Sequence, residues 1–333
     1  MNPDHLLEVR ALTVDFPTST GGWKNVVDGV SLTVGSGERV GLVGESGSGK
    51  SLTALACLGL VPEPGRIVTG SVEVTGKEVL SMHEREIARI RGGEVGLVFQ
   101  EAADALNPVY TVGFQIAETL AVHSGMNHRE ARETTLDLLA EVAVDEPRAV
   151  AHAYPHELSG GQAQRAMLAA ALAGKPRVLI ADEPTSALDV ITQSRVLELL
   201  DRLVGDHGLG LLLISHDLAV VEGMVDRVLI MYTGRIVEEG PAESVFSTPL
   251  HPYTRMLMSL TPAKRHRAEG EASIWDLRSS QITDAGCRFQ NRCPDAVASC
   301  AGPEPELIQF DRRRRVRCPV SVAGARETHD AGR

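Results

Sequence analysis

One segment constrains this chain more than any other: residues 44–51 read Gly-Glu-Ser-Gly-Ser-Gly-Lys-Ser. This is the complete G-x-x-x-x-G-K-S/T pattern. It follows the apolar run Val40–Val43 and precedes a segment with helical spacing, which is the context the pattern requires. Its glycines let backbone N–H groups turn toward phosphate oxygens, and the start of a helix adds positive potential. A glycine-rich turn with Lys-Ser by coincidence is the alternative, which the matched context disfavours. The predicted nucleotide-binding residues here are Gly44, Ser46, Gly47, Ser48, Gly49, Lys50 and Ser51.

Two adjacent acids supply what a nucleotide site needs besides the loop. The apolar run Val178–Ala181 ends in Asp182 and Glu183. Neighbouring residues on a strand point to opposite faces, so the two acids can have different tasks. We expect Lys50 to reach the β- and γ-phosphates, while Ser51 and Asp182 hold Mg²⁺. Glu183 is then the predicted general base for the attacking water. An ordinary strand exit into a polar loop is the alternative.

A second glycine-containing stretch, Leu158–Gln162, reads LSGGQ. Ser159 and Gln162 have the spacing of a capping box, which predicts the start of a helix. The glycines between them, Gly160 and Gly161, leave the N–H groups of that helix start open to an anion. On physical grounds alone, a plain helix start is the favoured explanation of these residues.

The order of apolar patterns predicts an α/β fold with a parallel core. Short apolar runs alternate with helical segments, which is typical of parallel sheets. Polar and apolar residues alternate before residue 40 and near residues 71–75, which predicts an antiparallel sheet. Residues 101–173 have mostly helical spacing and would form an inserted helical lobe. The composition then changes to an Arg-rich, Pro-punctuated tail, so we place a boundary between domains of residues 1–260 and 261–333. The predicted buried strands are Arg39–Val43, Val95–Phe99, Val178–Ala181 and Leu211–Ser215.

Charge and composition exclude several classes of function. The chain has 33 Lys and Arg against 44 Asp and Glu, a net charge of −11, which argues against general affinity for nucleic acid. No apolar run approaches the roughly 18 residues of a membrane helix. The beginning of the chain lacks the pattern of a secretory signal. We therefore expect a cytoplasmic protein with reduced thiols, and any membrane part would come from other chains.

In order along the chain, these motifs resemble the nucleotide-binding subunit of ATP-binding-cassette (ABC) transporters. The resemblance covers about residues 5–260, and LSGGQ is the signature of that family. Gln100, at the end of VGLVFQ, matches the loop glutamine that senses Mg²⁺ and contacts the membrane subunit. His216, in LLLISHD, matches the switch histidine that contacts the γ-phosphate. Phe16 matches the aromatic residue that stacks on adenine, with Trp23 as a nearby alternative and a plain strand end as another.

The resemblance implies an ABC-type P-loop ATPase core and a head-to-tail pair of subunits, each ATP lying between one phosphate loop and the partner's signature. The catalytic residues would be Glu183 and His216, and the Mg²⁺ ligands Ser51, Asp182 and Gln100. In the loop Ser186–Asp189, Asp189 would cross the dimer interface. The residues that act on the partner's ATP would be Ser159, Gly160, Gly161, Gln162 and Asp189.

Two stretches near the C-terminal end of the sequence narrow the resemblance to oligopeptide and dipeptide importers. His251–Leu257 reads HPYTRML, and GCRF with RCP follows near residue 290; both are similar to the C-terminal extension of that group. Four cysteines there have the spacing C-x₅-C-x₆-C-x₁₇-C, without the C-x₂₋₄-C pair that usually opens a zinc site. Two precede proline, as in iron–sulfur motifs. We expect a [4Fe–4S] cluster, with zinc or free thiols as alternatives. Nearby arginines would offset its charge or form a solvated face. The ligands would be Cys287, Cys293, Cys300 and Cys318.

The sequence therefore predicts the ATPase subunit of a binding-protein-dependent peptide importer, peripheral at the cytoplasmic face of the cell membrane. Its partners would be a second ABC ATPase subunit, identical or paralogous, two integral membrane permeases and an extracytoplasmic substrate-binding protein. A related importer of nickel or another small solute is the alternative. A soluble ABC ATPase acting on DNA or ribosomes, and a catalytically silent subunit, are weaker ones. The transported substrate is not encoded in these motifs.

Overall fold

A four-stranded antiparallel sheet opens the fold. The computed structural model describes residues 5–186, 188–260 and 285–321, apart from the side chains of residues 103 and 104. In the first strand, Leu7, Val9, Leu12 and Val14 are all buried. The alternation survives an irregularity at Ala11, whose φ of 46° marks the bulge. The strand order is β2-β1-β4-β5, with β1 His5–Pro17, β2 Trp23–Gly35, β4 Arg66–Val74 and β5 Lys77–Glu78.

The central sheet has eight strands in the order β11-β12-β10-β9-β3-β8-β7-β6. Strands β3, β6, β7, β8 and β9 run parallel, as the apolar runs predict, whereas β10, β11 and β12 are joined by antiparallel pairs. The prediction of a parallel α/β core with an antiparallel sheet is confirmed. The strands are β3 Arg39–Val43, β6 Val95–Val98, β7 Val178–Asp182, β8 Gly210–Ser215, β9 Arg227–Tyr232, β10 Arg235–Pro241, β11 Ile308–Gln309 and β12 Arg315–Val316.

Register in the parallel part brings the ends of four strands together. Val43 lies opposite Ser215, Asp182 opposite Ile214, and Val98 next to Ala181. The segments that follow these strands therefore emerge at one edge of the sheet, where ligands bind in open α/β folds.

Helices cover the sheet and form the lobe that the sequence predicts between residues 101 and 173. Five of them, α3 to α7, lie within that segment. The helices are α1 Lys50–Cys57, α2 Glu84–Ile90, α3 Ala102–Ala105, α4 Val112–Ser124, α5 His128–Glu141, α6 Pro147–His152, α7 Gly160–Leu172, α8 Val190–His207, α9 Leu218–Glu222, α10 Ala242–Ser247 and α11 Pro252–Ser259. None of the helices in the described segments combines the length and apolar character needed to cross a bilayer.

Two apolar clusters pack on opposite faces of the central sheet. Strand β8 shows the arrangement: Leu211 and Leu213 belong to one cluster, and Leu212 and Ile214 to the other. This follows from the period of two along a strand, and burial on both faces explains why the strand is continuously apolar.

Residues 285–321 pack against the core. Val316 of β12 pairs with Glu238 of β10, so the tail extends the central sheet by two strands. Phe289 is 1% exposed and joins the larger apolar cluster. The predicted boundary at residue 261 follows α11 and precedes residues outside the described segments, so the division into two domains stays a prediction.

Candidate nucleotide site

The phosphate loop connects β3 to α1 and is shaped by its glycines. Gly47 and Gly49 have φ values of 77° and 104°, in the left-handed region that only glycine adopts without strain. At Gly44 a side chain is excluded for a different reason, since a Cβ there would lie 2.1 Å from the carbonyl oxygen of Met231. The loop thus has the conformation that exposes consecutive N–H groups at the start of α1.

Lys50 folds back over the loop. Its Nζ donates to the carbonyl oxygens of Gly44 at 2.8 Å and Glu45 at 3.0 Å. Burial lowers the pKa of Lys50, while the carboxylates of Glu183 and Asp182 oppose that shift. The ammonium group of Lys50 therefore lies near both the loop and the two acids at the end of β7. At this position its positive charge would neutralise the charge of bound phosphates.

Asp182 ends strand β7 and is 9% exposed. Burial raises its pKa, and a hydrogen bond with Ser51 acts in the opposite direction. Its Oδ1 is buried without a hydrogen-bond partner among the described residues. An unpaired carboxylate oxygen beside a hydroxyl is a set of hard oxygen ligands that suits Mg²⁺. Asp182 and Ser51 therefore fit the predicted Mg²⁺ ion.

Glu183 is held by two side chains from neighbouring strand ends. Its Oε2 lies 2.9 Å from His216 Nδ1 and accepts a hydrogen bond of 3.2 Å from Gln100 Nε2. Glu183 has a φ of 47°, an unusual value for a residue other than glycine, and such strain often marks functional positions. The structure thus brings together three of the predicted residues that are far apart in sequence. Their catalytic roles stay a prediction.

The predicted signature residues form the start of α7. Ser159 Oγ accepts from the N–H of Gln162 at 3.3 Å, and Gln162 Oε1 accepts from the N–H of Ser159 at 3.0 Å, so the capping box is confirmed. Gly161 lies close to Thr192 of α8, where a Cβ would be 2.8 Å from its methyl group. Asp189 caps α8 and accepts from Thr192 Oγ1 at 2.7 Å. Among the described residues, none of these groups hydrogen bonds to the chain's own phosphate loop.

The two aromatic candidates for adenine stacking have different surroundings. Phe16 is half-buried, and its ring lies so close to Gly65 that a Cβ there would be 2.3 Å away. Trp23 is 47% exposed, with the guanidinium of Arg66 3.7 Å from its ring centroid. The role of Phe16 stays a prediction.

The four tail cysteines are neighbours without forming a metal centre in the part of the chain that the structure describes. Burial raises the pKa of Cys287 to about 11, and Cys300 and Cys318 add to that shift. Burial likewise raises the pKa of Cys293 to about 12. No three or more His, Cys, Asp or Glu side chains there are arranged to hold a metal ion. Thiols are the ligands that iron–sulfur clusters use, so the predicted cluster stays a prediction.

Three residues at the loop were not recognised from the sequence. Arg292 donates to both carboxylate oxygens of Glu45, at 2.9 and 2.8 Å, and the hydroxyl of Tyr253 accepts from the N–H of Glu45 at 2.8 Å. Arg292 is thus paired rather than simply solvated, and Arg315 likewise pairs with Glu239. No local pattern could have revealed these contacts, since Arg292 is 247 positions from Glu45.

The glycine-rich loop, Lys50 and the two acids at the end of β7 have the arrangement of a P-loop ATPase, in which the loop binds the phosphates of the nucleotide. The family described as "ABC transporter" matches residues 27–186, and the family "Oligopeptide/dipeptide transporter, C-terminal region" matches residues 237–300. A putative peptide import ATP-binding protein of Brucella abortus is 44% identical over 315 residues, which cover 94% of each chain. The dipeptide transport ATP-binding protein DppD of Escherichia coli is 41% identical over 322 residues, covering 96% of this chain and 98% of that one.

A solved structure, the dimeric post-hydrolysis state of the ATP-binding cassette MJ0796 bound to ADP and Pi, is similar with a TM-score of 0.63 and 27% identity. It covers 71% of this chain and 98% of that chain. The chain therefore belongs to the ABC transporter family, and it is an ATPase with the ABC cassette fold.

Proposed function

We propose that the chain is the ATP-hydrolysing subunit of a peptide importer. The observation that carries this proposal is an intact nucleotide site in a chain whose C-terminal region matches the oligopeptide/dipeptide transporter family. Relatives that align over almost the whole chain are named for peptide import and dipeptide transport. The proposed location is the cytoplasmic face of the cell membrane, where the subunit would be peripheral.

The side chains at the sheet edge would divide the work of ATP hydrolysis. Lys50 would move from the carbonyl oxygens of the loop to the β- and γ-phosphates, where its charge stabilises the transition state. Glu183 would accept the proton of the attacking water. His216 and Gln100 would keep Glu183 Oε2 in place, since both contact that oxygen. Mg²⁺, held by Ser51 and Asp182 with Gln100 nearby, would neutralise charge on the phosphate oxygens.

We propose that two such subunits pair head to tail. The start of α7 is exposed, and among the described residues it makes no hydrogen bond to the chain's own phosphate loop, as expected of a group that acts on a partner's nucleotide. Beside Asp189, the apolar side chains of Val190 and Ile191 are 78% and 68% exposed. Exposing these apolar side chains to water does not stabilise an isolated chain, whereas an interface at this point would bury them.

The permease subunits would dock beside Gln100. An open groove of about 460 Å³ lies there between the central sheet and the helical lobe. Phe99 and Tyr110 line it and are 41% and 47% exposed, and Phe114, stacked on Tyr110, is 49% exposed. A groove with an apolar aromatic rim suits an amphipathic segment of a membrane subunit. A substrate-binding protein on the other side of the membrane completes the proposed importer.

We also propose that the tail cysteines hold a [4Fe–4S] cluster. The supporting observations are the spacing and the proximity of the cysteines. Burial and the nearby thiols of Cys300 and Cys318 raise the pKa of Cys287, and burial and the nearby thiols of Cys318 and Cys287 raise that of Cys293. Protein purified without air should contain about four irons per chain and absorb broadly near 400 nm. Colourless anaerobic protein with stoichiometric zinc, or with no metal, would refute the cluster.

Uptake in cells tests the transport function. A strain that lacks the gene should lose uptake of a labelled dipeptide or short oligopeptide and regain it with the wild-type chain. Glu183→Gln should not restore uptake, whereas Glu198→Gln, a change at an exposed position of α8, should. Loss of nickel uptake with normal peptide uptake would favour the alternative importer.

A further inference from the structure

Glu45, in the phosphate loop, is contacted by two described residues of the C-terminal region, Tyr253 and Arg292. All three of its polar groups are engaged. Its N–H donates to the hydroxyl of Tyr253, its carboxylate accepts two hydrogen bonds from Arg292, and its carbonyl oxygen accepts from Nζ of Lys50. One residue thus connects the cation that would bind phosphate to two side chains more than 200 positions away.

Tyr253 is rigidly held. Its side chain is fully buried, and its ring lies 4.5 Å from that of Tyr232 and 5.5 Å from that of Phe289, centroid to centroid. His251 caps α11 and accepts from the N–H of Tyr253 at 3.0 Å. Because aromatic contacts fix the ring and the cap fixes the backbone, the hydroxyl presents a preorganised acceptor to the loop.

Arg292 is held in the same cluster. Its guanidinium lies 5.7 Å from the ring centroid of Phe289 and 5.8 Å from that of Tyr232. Hydrogen bonds to Glu45 raise its pKa, so it stays charged. Bidentate Arg–carboxylate pairs fix orientation as well as distance. The pair is only partly exposed, at 24% for Arg292 and 37% for Glu45, so water weakens it less than a free surface pair.

We propose that Arg292 and Tyr253 are positioning residues for ATP binding, which hold the phosphate loop through Glu45. The inference rests on the proposed function. A loop held in advance loses less conformational entropy when phosphate binds. Arg292 and Tyr253, with the Glu45 they hold, form an anchor for the loop. Among the described residues, neither Arg292 nor Tyr253 contacts Glu183 or His216, so this anchor acts on nucleotide affinity rather than on the chemical step. The C-terminal region is thereby part of the ATP site.

Single substitutions of the anchor should separate affinity from turnover. In the 333-residue chain, Arg292→Gln and Tyr253→Phe should each raise KM for MgATP by about three- to tenfold, with kcat at saturation changed less than twofold. Arg292→Lys should recover part of the affinity because it keeps the charge. The matched control is Arg255→Gln, which breaks an ion pair of the same region, 2.8 Å to Asp295, without touching the loop.

A double-mutant cycle tests the route through Glu45. If Arg292 acts on the loop through Glu45, the double change of Glu45→Gln and Arg292→Gln should raise KM no further than either change alone. Additive increases in KM from Glu45→Gln and Arg292→Gln would overturn the proposal. It would also be overturned if Arg292→Gln and Tyr253→Phe both had the same KM as the control Arg255→Gln. Thermal unfolding identifies any variant that does not fold, in which case Tyr253→Phe and Glu45→Gln decide. Wild-type chain that neither binds nor hydrolyses ATP would instead refute the proposed function.

Discussion

His216 Nδ1 lies 2.9 Å from Glu183 Oε2, across the gap between the ends of β8 and β7. The same oxygen accepts from Gln100, so a residue of the β6 end also contributes. Three strands thus fix the position of one carboxylate. A general base needs this restraint because proton transfer depends on placement within hydrogen-bond distance of the water.

Glu183→Gln should separate binding from hydrolysis. The amide cannot accept the proton of water, so turnover should fall by at least about 100-fold. ATP affinity should be unchanged, and an ATP-bound closed dimer should accumulate, which gel filtration would detect. Glu198→Gln is the control at an exposed position. Near-normal turnover in Glu183→Gln would rule out its role as base.

Lys50→Ala should abolish ATP binding or turnover. The ammonium group is the buried cation of the loop, and a methyl group cannot compensate for its loss on the phosphates. Equilibrium binding of MgATP and a phosphate-release assay measure the two effects. Lys77→Ala, which removes a partly exposed ion pair with Glu94, should behave as wild type. Unchanged affinity and rate in Lys50→Ala would refute the phosphate-loop assignment.

Head-to-tail pairing predicts complementation between two defective chains. Neither Ser159→Arg nor Lys50→Ala should form a homodimer that retains nucleotide. A mixed dimer should retain one, because the loop of the Ser159→Arg chain meets an unchanged signature on the Lys50→Ala chain. Nucleotide retained through gel filtration is the measurement. Mixtures that retain none would contradict the arrangement.

His251 makes stability depend on pH. Burial lowers its pKa from 6.5 to about 3, and the charges of Arg255 and Arg317 add to the effect. The unfolded chain therefore takes up a proton that the folded chain does not, so stability is full above about pH 6.5 and falls as pH decreases toward 3. The expected slope is about 1.4 kcal/mol per pH unit.

His251→Asn should remove this slope while keeping an acceptor for the helix cap. Denaturant unfolding between pH 7 and 4.5 should show a flatter dependence than wild type. Glu238 accepts from the N–H of His251, and burial raises its pKa. Its effect on the pH dependence of stability is opposite to that of His251 and is present in both the wild type and His251→Asn. The exposed His128 provides the control, since His128→Asn should leave the slope unchanged. If stability depended on pH as steeply in His251→Asn as in the wild type, His251 would not be the cause of that dependence.

Contiguous motifs could be predicted from the sequence because they are local. The loop at residues 44–51 and the capping box at Ser159 each determine their own geometry. Asp182 and Glu183 could be placed because parallel strands end at one edge. The Glu45–Arg292 pair could not, since it depends on how the tail packs around Tyr253. Cysteine spacing predicts the kind of ligand at the tail but not whether the four thiols converge.

The pairing of β12 with β10 has a consequence for how this protein can be handled. A chain cut after residue 260 would leave one edge of β10, at Glu238 and Glu239, without β12, while β9 would still pair with the other edge. An uncovered strand edge is a template for pairing with another molecule. Minimal cassettes made by removing the tail should therefore precipitate or form intermolecular sheets, even where the ATP site itself is untouched.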